Sequence, residues 1–532
     1  MKILICDPVS PKGIELLQRR AEFQVVVLPK RLSEAELLPV VADVTAMVVR
    51  SETKVTRKVI EAATKLRVVG RAGVGVDNVD VEAATQRGVV VMNTPGGNTI
   101  STAELSFAML LALARKVPQA HGSMAGGKWD RKQFSGIELS GKTLGVLGMG
   151  RIGSEVARRA VAFGMNVIGY DPFLAEARAR DLGIELAGDL DEVYQAADFI
   201  TVHMPVTELT RGMLNAAAFS KMKPGVRLVN CARGEILVDA DLLAALDAGK
   251  VTAAALDVFA TEPLEAEHPF RKHPNITLTP HLGASTAEAQ EKCGIEVAEV
   301  LTSYLLTGEV RNAVNLPFLD AKTYELVKPY MTLGEKLGKL LAQLAPAPVD
   351  RLHITYGGKA QELPNIDPVT RAVLMGFLSR AAVRDLNNIN VRSIASTLGL
   401  TVEEKRSNEP VTFNEWLHVQ AFNGAEKVIS AGGTFFGSPN NPRIVRLYST
   451  PVEIPISGTL LLLTNKDRPG IVGHLGTLLG KHNVNIANMS LHRDTAGGHA
   501  LTVLNLDSAP PQPVLDELER DPDISNVHVV QL

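Results

Sequence analysis

Lys142-Thr143-Leu144-Gly145-Val146-Leu147-Gly148-Met149-Gly150-Arg151-Ile152-Gly153 is the stretch that decides the fold. A short apolar run ends in a GxGxxG turn, and a helical pattern follows from Gly153 to Phe163. The next strand pattern, Asn166–Tyr170, stops at Asp171. Glycine-rich turns alone are common, but strand, turn, helix and a distal acid in this order form a dinucleotide site. Gly148 permits the tight turn, Gly150 admits a pyrophosphate, and Gly153 lets the helix pack on the strand. The helix that begins at Arg151 and Ile152 offers unpaired N–H groups and a partial positive charge to phosphates. Asp171 is placed to accept hydrogen bonds from the adenosine ribose hydroxyls. A 2′-phosphate would bring two anions together there, and Asp171–Ala175 contains no arginine, so the cofactor expected is NAD and not NADP.

The same alternation continues downstream. Strand patterns KTLGVLG, NVIGYD, FITVHM, VRLVN, AAALDVF and ITLTPH run from Lys142 to about Thr279, which predicts a six-stranded parallel Rossmann-type domain. Upstream, KILIC, QVVVL, TAMVVR, LRVVG and GVVVMN alternate with helical segments from Met1 to about Asn93, a second doubly wound parallel sheet. A long apolar helix is expected over Ser101–Lys116, capped by Ser or Thr. Beyond Thr286 an Ala/Glu-rich helix leads to a boundary at Asn315 and Pro317. The segment from 318 to 453 opens with a helix over Tyr330–Leu344 and continues as mixed strands and helices. From Gly458 the order βαββαβ is ferredoxin-like.

Hydride chemistry on an alcohol needs a carboxylate anchor, a proton acceptor and a group that tunes the acceptor. Arg233 follows the strand VRLVN, His281 follows ITLTP, and Glu262 follows AAALDVF. Each alone reads as an ordinary loop residue. Together they lie at the carboxyl ends of strands in one nucleotide-binding sheet, where ligands bind in such folds. Histidine titrates near neutrality, and an adjacent carboxylate favours its charged form. Arg50 and Arg71 also follow apolar strands. Two arginines beyond the carboxylate anchor point to a second anionic group on the substrate, most naturally a phosphate, against the alternative of interdomain salt bridges. The N–H groups of Val74 and Gly75 can cradle the carboxylate, and Asn98 is a further candidate donor.

GMGRIG, NCARGEILVD, LDVFATEP and PHLGAST resemble the D-isomer-specific 2-hydroxyacid dehydrogenase family, in that family's order. The resemblance implies that Arg233 binds substrate, Glu262 assists and His281 is the general acid/base. It further implies that Asp257 lies near the nicotinamide carboxamide, and that Thr207, the backbone at Cys231, and Gly283 belong to the cofactor cleft. RSETKVT, VGRAGVGVDNVD and MNTPGGN narrow the likeness to that family's phosphoglycerate dehydrogenases, in the long form. This implies oxidation of 3-phospho-D-glycerate to 3-phosphooxypyruvate as the first step of L-serine biosynthesis. Lys128–Lys132 resembles a dimer arm, with Arg131 and Lys132 as candidate contacts to a neighbouring site, which implies a homodimer or homotetramer.

Asn465-Lys466-Asp467-Arg468-Pro469-Gly470 and Asn483-Val484-Asn485-Ile486 resemble an ACT regulatory domain. Asp467 and Asn485 match its effector site, L-serine being the implied ligand. Asn465 departs from the aromatic or imidazole usual there. Arg443 and Arg446 form a small basic cluster that reads first as a solvated strand. The expected architecture is thus α/β: a flavodoxin-like substrate domain (1–97 and 286–316) interrupted by the Rossmann-type NAD domain (98–285), then an α+β intervening domain (317–453) and a ferredoxin-like ACT domain (454–532). The alternatives are a glyoxylate, hydroxypyruvate or D-lactate dehydrogenase of the same family, or a non-enzymatic NAD sensor. All catalytic motifs precede Thr286, so the end unit is separable from the chemistry.

The rest of the composition agrees. A chain of 532 residues with 45% hydrophobic and 21% charged residues suggests several globular domains. A net charge of -3 gives no reason to expect nucleic acid or an anionic membrane. Three scattered cysteines provide neither a disulfide framework nor a metal site and suit a reducing cytoplasm.

Overall fold

The computed structural model describes residues 1–316, 321–346, 348–381, 386–409 and 415–532. Pro317, one of the two expected boundary residues, lies outside them. The chain forms two compact units. The first comprises residues 1–54, 69–78 and 92–312, and the second 55–68, 79–91 and 313–532.

Five short strands, β1 (Lys2–Ile5), β2 (Gln24–Val27), β3 (Ala46–Val49), β4 (Val68–Arg71) and β5 (Val90–Met92), form a sheet of order β2-β1-β3-β4-β5. This is the flavodoxin-like order. β1 pairs in parallel with β2 and β3, placing Ile5 beside both Val27 and Val48. Ile3, Leu4, Ile5 and Ala46–Val49 are fully or almost fully buried, as β-branched and apolar runs must be when helices cover both faces.

The second sheet comprises β6 (Thr143–Leu147), β7 (Asn166–Tyr170), β8 (Glu185–Leu186), β9 (Phe199–Val202), β10 (Val226–Asn230), β11 (Val251–Leu256) and β12 (Ile276–Leu278). Its order is β12-β11-β10-β9-β6-β7-β8. Six strands were expected and seven are present, because the two residues of β8 are too short to give a period. The register matters for the site. Leu147 stands beside Tyr170 and Val202, Asn230 beside Val202 and Leu256, and Leu256 beside Leu278. The residues that follow, Gly148, Asp171, His203, Cys231, Asp257 and Thr279, therefore emerge along one carboxyl edge.

The long apolar helix runs Thr99–Arg115, two residues earlier than expected, and its N-cap Asn98 makes no side-chain cap. The hydroxyls of Ser101 and Thr102 are used elsewhere, both donating to the Gly283 carbonyl, at 2.8 and 3.0 Å. Thr286 does cap the helix Ala287–Thr307, accepting from Ala289 N at 3.1 Å.

In the second unit the helix expected from Tyr330 begins instead at Ala321 and continues through Pro329 to Leu344. Its buried stripe of Val327, Tyr330, Leu333, Leu337, Leu340, Leu341 and Leu344 carries it past the missing N–H. It packs in a core with β13 (Arg351–Gly358), β14 (Thr401–Ser407), β15 (Glu415–Asn423), β16 (Glu426–Phe435), β17 (Pro442–Leu447) and β18 (Thr450–Pro455), ordered β14-β13-β15-β16-β17-β18. Asn315 secures this unit's 79–91 segment, accepting from Val91 N at 2.9 Å and donating to Val89 O at 2.9 Å and Thr85 Oγ1 at 3.0 Å.

The last sheet holds β19 (Thr459–Lys466), β20 (Ile486–Arg493), β21 (His499–Leu506) and β22 (Ile524–Gln531), antiparallel and ordered β20-β21-β19-β22. Helices Ile471–Lys481 and Gln512–Arg520 cover one face, against Leu461, Leu463, Leu504 and Leu506. The other face is buried too. Leu460, Leu462, Val503 and Val530 belong to the core of the preceding sheet, and Gln343 exchanges two hydrogen bonds with the Gln531 backbone, at 3.0 and 3.1 Å.

That shared core generates the first prediction. Each of those four side chains gains about 1.5–3 kcal/mol on burial, so their sum approaches the about 5–15 kcal/mol that holds a whole domain together. Cutting the chain after residue 453 should leave the 321–453 portion prone to early melting and to proteolysis. Thermal melting and limited trypsin digestion measure this, and an unchanged unfolding transition would show that the core does not depend on the last sheet.

Candidate active site

Gly148 sits at φ 93°, with the His203 carbonyl 2.7 Å from where a Cβ would stand. A Cβ on Gly153 would lie 2.0 Å from the Gly148 carbonyl, whereas one on Gly150 would meet only open space. The turn is thus packed shut behind the helix Arg151–Ala162, with Ile152 half-buried in its first turn, and open in front, the shape a pyrophosphate requires. Asp171 accepts from Met149 N at 2.9 Å through one oxygen and from Phe173 N at 2.9 Å through the other. These bonds fix its carboxylate beside the turn. Thr207 is exposed, in a turn closed by Thr210, whose hydroxyl accepts from Thr207 N at 2.8 Å.

Cys231 turns its side chain into the core, where its thiol lies 3.4 Å from Met109 Sδ and burial pushes it up to about 12. Only its backbone can face a ligand. Asp257 is completely buried. Its carboxylate accepts from Leu282 N at 2.7 Å, Gly283 N at 3.0 Å and the Thr279 hydroxyl, and its carbonyl accepts from His281 N at 2.9 Å. Burial pushes this carboxyl above its ordinary range, against the pull of those donors.

His281 is held in the left-handed region, φ 55°, on that loop. Its Nδ1 is 2.7 Å from Glu262 Oε2, and Glu262 Oε1 accepts from Phe259 N at 3.0 Å. Burial works to raise the Glu262 carboxyl, but the His281 hydrogen bond and charge, the Phe259 amide and Arg233 outweigh it and hold it below the usual carboxylate range. Such a pair can pass a proton to and from an alcohol oxygen at the free imidazole nitrogen.

Arg233 donates through Nε to Asp77 at 2.9 Å and through Nη1 to Ala232 O at 2.6 Å. Burial, then the charges of Arg233 and Arg50, push the Arg71 guanidinium down to about 10 against the pull of Asp77. The Arg71 Nε is buried and has no partner among the described residues. Arg50 is fixed by its backbone, N donating to Asp7 at 2.6 Å and O accepting from Asn78 at 2.7 Å, while its side chain donates to Pro8 O at 3.4 Å. Val74 O accepts from Asn93 at 2.6 Å, which sets the Val74–Gly75 loop. Asn98 Oδ1 is buried without a partner among the described residues. Arg131 and Lys132 are exposed in the short turn Arg131–Phe134, and no contact joins them to this cluster among the described residues.

The structure therefore gathers Arg50, Arg71, Arg233, Glu262 and His281 with their supporting groups. Asp7, Asp77, Asn78, Asn93 and Thr279 are supports that the sequence reading passed over. Thr279 directly follows β12 and Asp7 lies one residue further from the end of β1, near the signal that singled out Arg50 and His281.

In the last sheet Asp467 accepts from Arg493 at 2.9 Å and Gly497 N at 3.0 Å, and Asn485 donates to Asp507 at 2.8 Å. No hydrogen bond joins Asp467 to Asn485 among the described residues. Asn465 is buried, accepting from Thr502 at 2.7 Å and donating to Lys466 O at 3.1 Å. That explains the departure noted there: the position serves the sheet.

Comparison with known proteins agrees with this geometry. The family model for the D-isomer specific 2-hydroxyacid dehydrogenase NAD binding domain matches residues 107–283. That for the D-3-phosphoglycerate dehydrogenase intervening domain matches 326–448, and that for the ACT domain 459–523. A D-3-phosphoglycerate dehydrogenase of Archaeoglobus fulgidus is 42% identical over all of both chains. One from Synechocystis sp. is 42% identical over all of this chain and 95% of its own. The chain belongs to the D-3-phosphoglycerate dehydrogenase family. Among solved structures, the TT0316 protein of Thermus thermophilus aligns over 59% of this chain and 100% of its own, at 35% identity and a TM-score of 0.55. The cofactor of this family's dehydrogenase unit is NAD, and the turn at Gly150 with Asp171 beside it fits that group. No described helix is long and apolar enough to cross a membrane.

Removing the Asp171 carboxylate should weaken NADH binding by about 1–2 kcal/mol and narrow the margin over NADPH. Fluorescence titration of both nucleotides on Asp171→Ala and the unmodified protein measures this. Equal affinity of the unmodified protein for both would remove Asp171 from the ribose site.

Proposed function

We propose that this chain oxidises 3-phospho-D-glycerate to 3-phosphooxypyruvate with NAD, the first step of L-serine biosynthesis. The observation that carries the reading is the guanidinium cluster. Three like charges facing one another are costly unless an anion of more than one charge is meant to lie among them. The partnerless, buried Nε of Arg71 is a donor kept for such an anion. Relatives named D-3-phosphoglycerate dehydrogenase along the whole length of the chain support the same substrate.

In this mechanism Arg233 and the Val74–Gly75 amides take the substrate carboxylate, and Arg50 and Arg71 take the phosphate. Bound NAD supplies the acceptor for the C2 hydride. His281 takes the hydroxyl proton on its imidazole, and Glu262 balances the charge that results. Asp257 holds the His281 loop and can present its neighbouring backbone to the nicotinamide carboxamide. The Gly148–Gly153 turn, with Arg151, holds the pyrophosphate. The exposed Val117, Met124 and Trp129 beside Arg131 and Lys132 suit burial by a second copy, so a homodimer or homotetramer is the proposed assembly, working in the cytoplasm. The ACT sheet is assigned a small zwitterionic effector, with L-serine tested first at Asp467 and Asn485.

Steady-state assays decide the substrate: NADH should form far faster from 3-phospho-D-glycerate than from D-lactate or D-glycerate. Arg50→Ala or Arg71→Ala should cost about 1.5–3 kcal/mol in kcat/KM for the phosphorylated acid, the scale of a charge-assisted hydrogen bond. Non-phosphorylated acids should be much less affected. Equal losses on both would assign these arginines to structure or to the carboxylate.

The pH profile tests the proton path. Oxidation requires a neutral His281, so activity should rise with pH. The Glu262 carboxylate lies 2.7 Å from the Nδ1 of that ring. Glu262→Gln removes that negative charge from beside the ring, so the rising limb should move to lower pH. Reduction, which needs the charged ring, should suffer first on the alkaline side. His281→Ala should lose on the order of 10²–10⁴-fold in turnover with NADH binding retained. An unmoved profile in Glu262→Gln would mean that the two groups are uncoupled.

A further inference from the structure

Arg233 is fixed at more points than a surface arginine needs. Its Nε donates to Asp77 Oδ2 at 2.9 Å and its Nη1 to Ala232 O at 2.6 Å. Its Nη2 occupies the space beside Gly75, 1.7 Å from where a Cβ would stand, and that same Cβ would lie 2.7 Å from Asp77 Oδ2. Gly75 is therefore a glycine because two side chains cross over it. Anchors on two nitrogens set both the position and the plane of the guanidinium. Among the described residues Nη2 has no protein acceptor and is left for a ligand at the Val74–Gly75 loop.

Stability does not account for this pair. The Asp77 side chain is 63% exposed and that of Arg233 25%, and exposed ion pairs contribute little to folding. Asp77 is, however, the carboxylate that acts on both Arg233 and Arg71. We infer that Asp77 is a positioning residue, which orients Arg233 for the substrate carboxylate and supplies the counter-charge that lets the guanidinium groups face one another. The inference rests on the proposed reading of Arg233 as the carboxylate anchor. A long, flexible arginine whose plane is preset loses less freedom when it forms its forked pair with a carboxylate.

The test uses full-length Asp77→Ala and Asp77→Asn. Kinetics are measured on 3-phospho-D-glycerate and D-glycerate, with NADH titrations by fluorescence and thermal melts. Asp77→Ala should raise KM for both acids by about 10-fold or more, the loss expected when a charged hydrogen bond is no longer preorganised. Its kcat should change less, and NADH affinity and melting should stay as in the unmodified protein. Asp77→Asn keeps an oxygen for the Arg233 Nε and should recover most of the KM on D-glycerate. An unchanged or lower KM in Asp77→Ala would mean that Asp77 competes with substrate, and would overturn the inference. A rise confined to the phosphorylated acid would also overturn it, placing Asp77 in the service of Arg71. If the unmodified protein turns over D-glycerate but not 3-phospho-D-glycerate, the substrate reading fails, and Asp77 is still judged on D-glycerate.

Discussion

The active-site edge depends on one buried carboxylate. Asp257 directly follows β11 with no solvent around it, and among the described residues its carboxylate accepts from the loop after β12: the Thr279 hydroxyl and the amides of Leu282 and Gly283. The carbonyl of the same residue holds the His281 amide. The left-handed backbone at His281 persists because this loop is tied on both sides of it. From the other direction, Ser101 and Thr102 at the start of the long apolar helix take the Gly283 carbonyl. Loss of the Asp257 carboxylate would leave buried donors without acceptors, which is why a buried acid is tolerated here although burial raises its carboxyl.

Across the cleft the constraint is reversed in sign. Arg50, Arg71 and Arg233 are set close enough for the charge of each to be felt at Arg71. The fold sustains that repulsion only because the backbone at Arg50 is clasped by Asp7 and Asn78, and Arg233 is held by Asp77 and Ala232. One half of the candidate site is thus held by several converging hydrogen bonds, and the other carries more positive charge than its carboxylates balance. A substrate with a carboxylate, a hydroxyl and a second anionic group complements both halves at once.

What the sequence disclosed follows from periods and edges. Both parallel sheets were legible because buried parallel strands read as apolar runs, and the candidate site residues could be singled out because they lie just beyond such runs. β8 was not legible, since two residues carry no period. The start of the helix at Thr99 was not either, because the serine that looked like a cap bonds the Gly283 carbonyl instead. Side-chain partners across the chain, such as Arg233 with Asp77 or Asn93 with Val74, arise from loops meeting in space, and no local pattern encodes them. Cys231 directly follows a strand with its side chain in the core, which leaves its backbone, the part the resemblance implicated, at the edge.

The run Leu460–Leu463 carries a further lesson about the regulatory end of the chain. A sheet with helices on one face and water on the other alternates apolar and polar residues. Four leucines in succession deny that alternation, so the run itself states that both faces of β19 are covered. Leu461 and Leu463 meet the ACT helices, and Leu460 and Leu462 enter the core built around the helix Ala321–Leu344. Close-packed interiors transmit displacement instead of absorbing it. A ligand that shifts the ACT sheet by a fraction of an ångström must therefore move the neighbouring sheet or open a gap in their common core. The intervening sheet and the last sheet are thus one packed body, not a module and a spacer ahead of it.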